Sequence, residues 1–113
     1  MIVTVFRSRL RPGNVEEYYQ WAARMSALAK TMPGYVSHKT FTAEDGERVT
    51  IVEFESDEAQ RAWARQADHV EAKKRGRASF YSEYRIQVCT VTRELSFHAE
   101  PAAAEKAGTP SGP

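Results

Sequence analysis

The stretch WARQADHVEAKKRGR, residues 63–77, brings a tryptophan, a histidine and a block of cations into one short segment. His69 is the best candidate for acid–base work, because an imidazole with an unperturbed pKa of about 6.5 can hold or release a proton near neutral pH. Facing a pocket, it would accept a phenolic proton or hydrogen-bond the resulting anion. At a helix start it would instead sit in water or cap backbone. Trp63 and Trp21 offer broad apolar faces on which an aromatic ring can lie, and equally the bulk that a helix packs into a core. Phe6 and Tyr84 could extend such a wall. Arg85 carries the forked guanidinium that pairs with an anionic oxygen, or with solvent at a strand entry.

Other chemistry finds less support. The run Lys73, Lys74, Arg75, Gly76, Arg77 could contact phosphates, yet Gly76 interrupts it and no stacking aromatics are interleaved. Cations late in a helix also oppose its negative end. Sixteen basic against fifteen acidic residues leave a net charge of +1, which provides no chain-wide field for nucleic acid or an anionic membrane. His38, expected on one sheet face with Val36 and Thr40, has no second ligand at a metal-binding spacing. Cys89 is the single cysteine, so no disulfide can form within the chain, and mid-strand it is expected to be a small buried thiol. The segment MIVTVFRSRLRPG reaches Arg7 too soon for a signal sequence or a membrane span, and a cytoplasmic protein is expected.

These side chains need elements to hold them. A chain of 113 residues fits one domain, which buries roughly two-thirds of the surface of its unfolded form. The expected boundaries are a domain over 1–98 and a loose tail over 99–113, where PAAAEKAGTPSGP has too little apolar surface to offset its ordering entropy. Ile2 to Leu10 reads as a strand ended by Pro12-Gly13. Asn14 is placed to cap a helix whose apolar face runs Val15, Tyr18, Ala22, Met25, Ala29 and Met32. Tyr35 to Thr42 and Arg48 to Glu55 form a hairpin about Asp45-Gly46. Ser56 opens a second helix carrying Trp63, and helix resumes from about Ala67 to Ser79 after a break at Gln66-Ala67. Tyr84 to Phe97 is a long final strand with a shift of face at Cys89, read as a bulge or as cover on both sides.

The order β-α-β-β-α-β is the split βαβ pattern of ferredoxin-like α+β folds. Its helices cover one sheet face. On the other, Val3 and Val5 oppose Ile2 and Phe6, and Val49 and Ile51 oppose Val52 and Phe54, so apolar side chains would be left bare. A second copy of the chain is the simplest cover, and a homodimer packed sheet to sheet is expected, with the last strand reaching onto the partner.

With that element order, Trp63 followed by His69, the turn PGYVSHKTF, the helix exit GRASFY and the strand entry FYSEYRIQVC, the chain resembles the antibiotic biosynthesis monooxygenase family over about residues 1–97. The resemblance implies a dimeric α+β barrel with a pocket between helices and sheet in each subunit. It also implies oxidation of a small aromatic or polycyclic phenolic substrate by O2, with no metal, flavin or other cofactor, because a deprotonated electron-rich ring can itself reduce O2. Haem-degrading relatives combine a first-strand Asn, a helical Trp and a His about ten residues later. Here Trp63 matches, but Phe6 and Lys73 hold the other two places, which weighs against haem binding and degradation. The competing expectation is a non-catalytic ligand-binding or stress-associated dimer that keeps the barrel.

Overall fold

Alternation along the first strand sets the architecture. In β1, Ile2–Leu10, the side chains of Ile2, Thr4 and Ser8 are buried on one face, while Val3, Val5, Arg7 and Arg9 take the other. The computed structural model describes residues 1–100, and its elements follow as α1 (Val15–Ala29), β2 (Tyr35–Thr42), β3 (Arg48–Phe54), α2 (Asp57–Arg65), α3 (Ala67–Arg75), a π-helical turn (Gly76–Phe80) and β4 (Tyr81–Thr90). The sheet order is β2-β3-β1-β4 with every neighbouring pair antiparallel, which is the ferredoxin-like α+β arrangement expected. The tail expected over 99–113 lies, from residue 101 onward, outside the described residues. Among the described residues no helix is long and apolar enough to cross a membrane.

Local chemistry explains most boundaries. Ser56 caps α2, its hydroxyl accepting from the Ala59 N–H at 3.1 Å, with Asp57 and Glu58 in the first turn. The break at Gln66 is real: its side-chain oxygen accepts from the His69 N–H at 3.0 Å and starts α3. Gly46 takes φ 91° in the β2–β3 hairpin, and the Asp45 carboxylate accepts from the Glu47 N–H at 3.0 Å. Gly34 takes φ 82° after α1, and a Cβ there would come within 2.6 Å of the Ala59 Cβ, so this turn seats α2 against the end of α1.

Several expectations need correction. Asn14 precedes α1 in a left-handed conformation, φ 50°, and its side chain caps nothing. Val15 is exposed, and Met32 lies past the end of α1, although it still packs on the core. The final strand starts at Tyr81 and stops at Thr90, so Val91 to Phe97 is not strand, and Leu95 and Phe97 stand 97% and 85% exposed. The shift of face read at Cys89 is that strand ending. The actual register shift in β4 lies opposite Arg9 and Leu10. Cys89 is exposed rather than buried, because β4 is an edge strand and Cys89 pairs with Val3 on the face the helices do not cover.

The core gathers where α1 and α2 meet β3: Ala29, Phe54 and Trp63 are buried, with Met25, Leu28, Val52 and Ala59 packed around them. Phe54 is wholly enclosed. On the opposite sheet face Val3, Val5 and Val49 are half-buried, and Ile51 and Phe41 are exposed.

Candidate active site

Trp63 and His69 meet, though not as two walls of an open chamber. Their rings stack at 4.2 Å between centroids, 16° from parallel. The break at Gln66 allows this by folding α3 back so that a residue of its first turn lies over one from the last turns of α2. Trp63 is 8% exposed, with the His69 ring over one face of its indole. The expectation of Trp63 as a free stacking surface is corrected accordingly.

The His69 ring is oriented by backbone. Its Nδ1 lies 2.9 Å from the Trp63 carbonyl oxygen, which can only accept, so Nδ1 carries the proton and Nε2 keeps its lone pair. Burial pushes the imidazole pKa below its ordinary value; the carbonyl contact opposes that, and the nearby Lys73 ammonium adds to it. The ring is therefore neutral at neutral pH, with Nε2 unpartnered among the described residues. Lys73 itself donates to the Ala64 carbonyl at 3.3 Å, so the position where haem-degrading relatives place a ligand is tied to backbone, and the residues present do not fit a haem ligand set.

A second group assembles at the other end of the helix-covered face. Phe6 lies 5.5 Å from Tyr81 and 5.7 Å from Tyr84, ring centre to ring centre. Tyr81 also meets Tyr84 at 5.7 Å and Tyr18 of α1 at 5.9 Å. The π-helical turn aims this cluster: Gly76 leaves room for the Tyr81 ring, whose edge would lie 2.6 Å from any Cβ placed there. Burial and the neighbouring Tyr18 phenol push the Tyr81 pKa well above the ordinary tyrosine value, so its hydroxyl stays protonated.

Two expected members lie elsewhere. Trp21 sits between guanidinium groups, Arg24 at 4.7 Å and Arg75 at 5.4 Å from its ring centre, on the outer side of α1 and α3. Arg85 neighbours Tyr84 on β4 and so points to the opposite sheet face, across from Arg7. The cation that does reach the aromatic cluster is Arg48 on β3. It pairs across the sheet with buried Ser8 and stacks over Tyr18 and Tyr19 at 5.6 and 5.7 Å. Reading strand parity through Arg48, Thr50 and Val52 could have found it.

A third polar group forms around His38, whose partners the sequence did not indicate. His38 Nε2 lies 2.7 Å from the Ser26 hydroxyl and Nδ1 2.7 Å from the Tyr35 hydroxyl. A register shift between Tyr35 and Ser37 puts Tyr35 on the face of His38, so the ring joins α1 to the edge strand. Burial, with Lys30 nearby, pushes this imidazole pKa down as well. The cation run disperses: Arg75 pairs with Glu17 at 3.0 Å and Arg77 donates to the Tyr84 hydroxyl at 3.1 Å. Two open depressions are lined, one by Asn14, Val15, Glu16, Glu17 and Gln20, the other by Arg7, Arg9, Glu47, Glu83, Tyr84 and Arg85, and neither includes Trp63 or His69.

Residues 1–75 match the antibiotic biosynthesis monooxygenase family, and YqjZ of Bacillus subtilis is 30% identical over 93 residues, covering 82% of each chain. The chain belongs to that family. Among solved structures the fold is similar to SnoaB of Streptomyces nogalater, a cofactor-independent oxygenase, with a TM-score of 0.70 at 22% identity, covering 83% of this chain and 95% of that one. It is likewise similar to Rv0793 of Mycobacterium tuberculosis, with a TM-score of 0.74 at 16% identity, covering 84% and 98%. Family membership accounts for the shared sheet and helix layer. The chemistry must be argued from the side chains this member carries.

Proposed function

We propose that this chain is a cofactor-independent monooxygenase that oxidises an aromatic or polycyclic phenolic substrate with O2, with His69 as the base. The observation that carries the reading is the half-buried, neutral imidazole of His69, its Nδ1–H committed to the Trp63 carbonyl and its Nε2 lone pair unclaimed. Nε2 would take the phenolic proton, and the electron-rich anion would reduce O2 directly. In the balanced reaction a ring CH2 becomes C=O; one oxygen atom enters the product and the other leaves as water with the two hydrogens. The protein's part is to hold the ring, exclude water and stabilise the anion.

The working unit in this proposal is a homodimer joined through the open sheet face. Val3, Val5, Val49, Ile51 and Phe41 present apolar surface there, and Leu95 and Phe97 extend beyond β4 with nothing packed on them among the described residues. A non-catalytic ligand-binding dimer is the second reading, favoured by the imidazole that already covers one face of Trp63.

Oxygen uptake with a panel of anthrones and hydroquinones separates the two. The monooxygenase reading expects turnover that falls about 100-fold or more in His69→Gln, which can still donate to the Trp63 carbonyl but has no basic nitrogen. Binding without oxygen consumption across the panel would leave the second reading, and full turnover in His69→Gln would remove His69 from the mechanism.

A further inference from the structure

Arg48 is a cation held by aromatic rings rather than by an anion. Its Nε is buried and makes no hydrogen bond, and none of the ion pairs among the described residues includes it. Arg7 and Arg9, on the far face of the same sheet, each have a carboxylate within 3 Å. The contrast is informative, because a guanidinium is ordinarily placed against a carboxylate wherever its forked donors are shielded from water.

The surroundings of Arg48 describe what would complete it. Tyr18 and Tyr19 lie under the guanidinium, and Ser8, a small buried side chain, separates it from Tyr84 in one row across β3, β1 and β4. That row spans roughly 10 Å between the outer two strands, the width of two fused rings with a substituent. Phe6 and Tyr81 close the cluster with apolar ring surface, and Tyr84 is held in place by Arg77. A protonated phenol at Tyr81 adds a hydrogen-bond donor rather than a competing negative charge.

We infer that Arg48 and the ring cluster of Phe6, Tyr18, Tyr81 and Tyr84 form a recognition site for an aromatic carboxylate, with the carboxylate on Arg48 and the rings on the aromatic side chains. This deepens the monooxygenase reading by naming the substrate class, and it rests on that reading for the role of the bound molecule but not for its binding. Arg48 would act at the acidic end of the ligand.

Binding measured under argon keeps the two readings apart, since no oxidation is needed. Isothermal titration of the full chain with 2-naphthoate and with its neutral isostere 2-naphthamide should show the carboxylate binding at least about tenfold tighter. Arg48→Met should abolish that preference and Arg48→Lys should retain part of it, with thermal unfolding verifying that both variants fold. Equal affinity for the two probes, absence of binding by either, or a preference that survives in Arg48→Met would overturn the inference. Loss of turnover in His69→Gln with the preference intact concerns the reaction alone.

Discussion

The two ends of the helix-covered sheet face are built on opposite terms. At the Phe54 end most described polar contacts are internal: His69 is neutral with Nδ1 bonded to backbone and only Nε2 open, Trp63 is covered, and His38 has a hydroxyl at each nitrogen. At the Arg48 end a cation lies on phenol rings with no described counter-ion, beside a π-helical turn that regular helix geometry would not need. The first arrangement holds the domain together. The second gives up satisfied contacts, as binding sites commonly do, because a group already paired within the protein has little left for a ligand.

Substitutions can break that comparison. Phe54→Ala empties a fully enclosed position and should cost about 3–5 kcal/mol, read as a lowered denaturant midpoint with an unchanged slope. A cost below about 1 kcal/mol would mean that the core does not centre there. At the other end Gly76→Ala sets two effects against each other: a gain from replacing glycine in a right-handed helical conformation, and a clash with the Tyr81 ring 2.6 Å away. The clash should prevail by only about 1–2 kcal/mol, while the near-ultraviolet tyrosine dichroism changes and the naphthoate preference falls. An unaltered tyrosine signal would show that the turn does not position Tyr81.

The smallest effect is one of pH. The folded-state pKa of His69 lies below its unfolded value of about 6.5, so between the two the unfolded chain binds more protons. Stability contributed by the neutral ring is full above about pH 6.5 and is lost as pH falls through the folded pKa. Denaturant midpoints across this range should fall less steeply in His69→Gln than in the parent, with His38 supplying the remaining slope because it shifts the same way. The acid limb of turnover should lie below pH 6.5 for the same reason. Identical slopes in variant and parent would show that burial does not shift His69.

Much of this was legible in the sequence because it rests on short-range chemistry. The element order, the Asp45-Gly46 hairpin, the Ser56 cap and the break at Gln66 all follow from residues within a few positions of one another. What escaped depended on register and on packing between distant elements. Arg85 was assigned to the site from its place at a strand entry, but β4 begins at Tyr81 and turns it to the far face. Arg48 was not considered in the sequence, although its parity with Thr50 and Val52 marks its face; its place over Tyr18 and Tyr19 depends on how α1 packs on the sheet. The His38 contacts need a bulge that no turn residue signals.

Cys89 turns the open sheet face into something chemically addressable. The chain has no other thiol, and this one projects from an edge strand beside Val3 with solvent access. A maleimide or a spin label placed there would report on whatever covers that surface, with no engineered handle and no competing site.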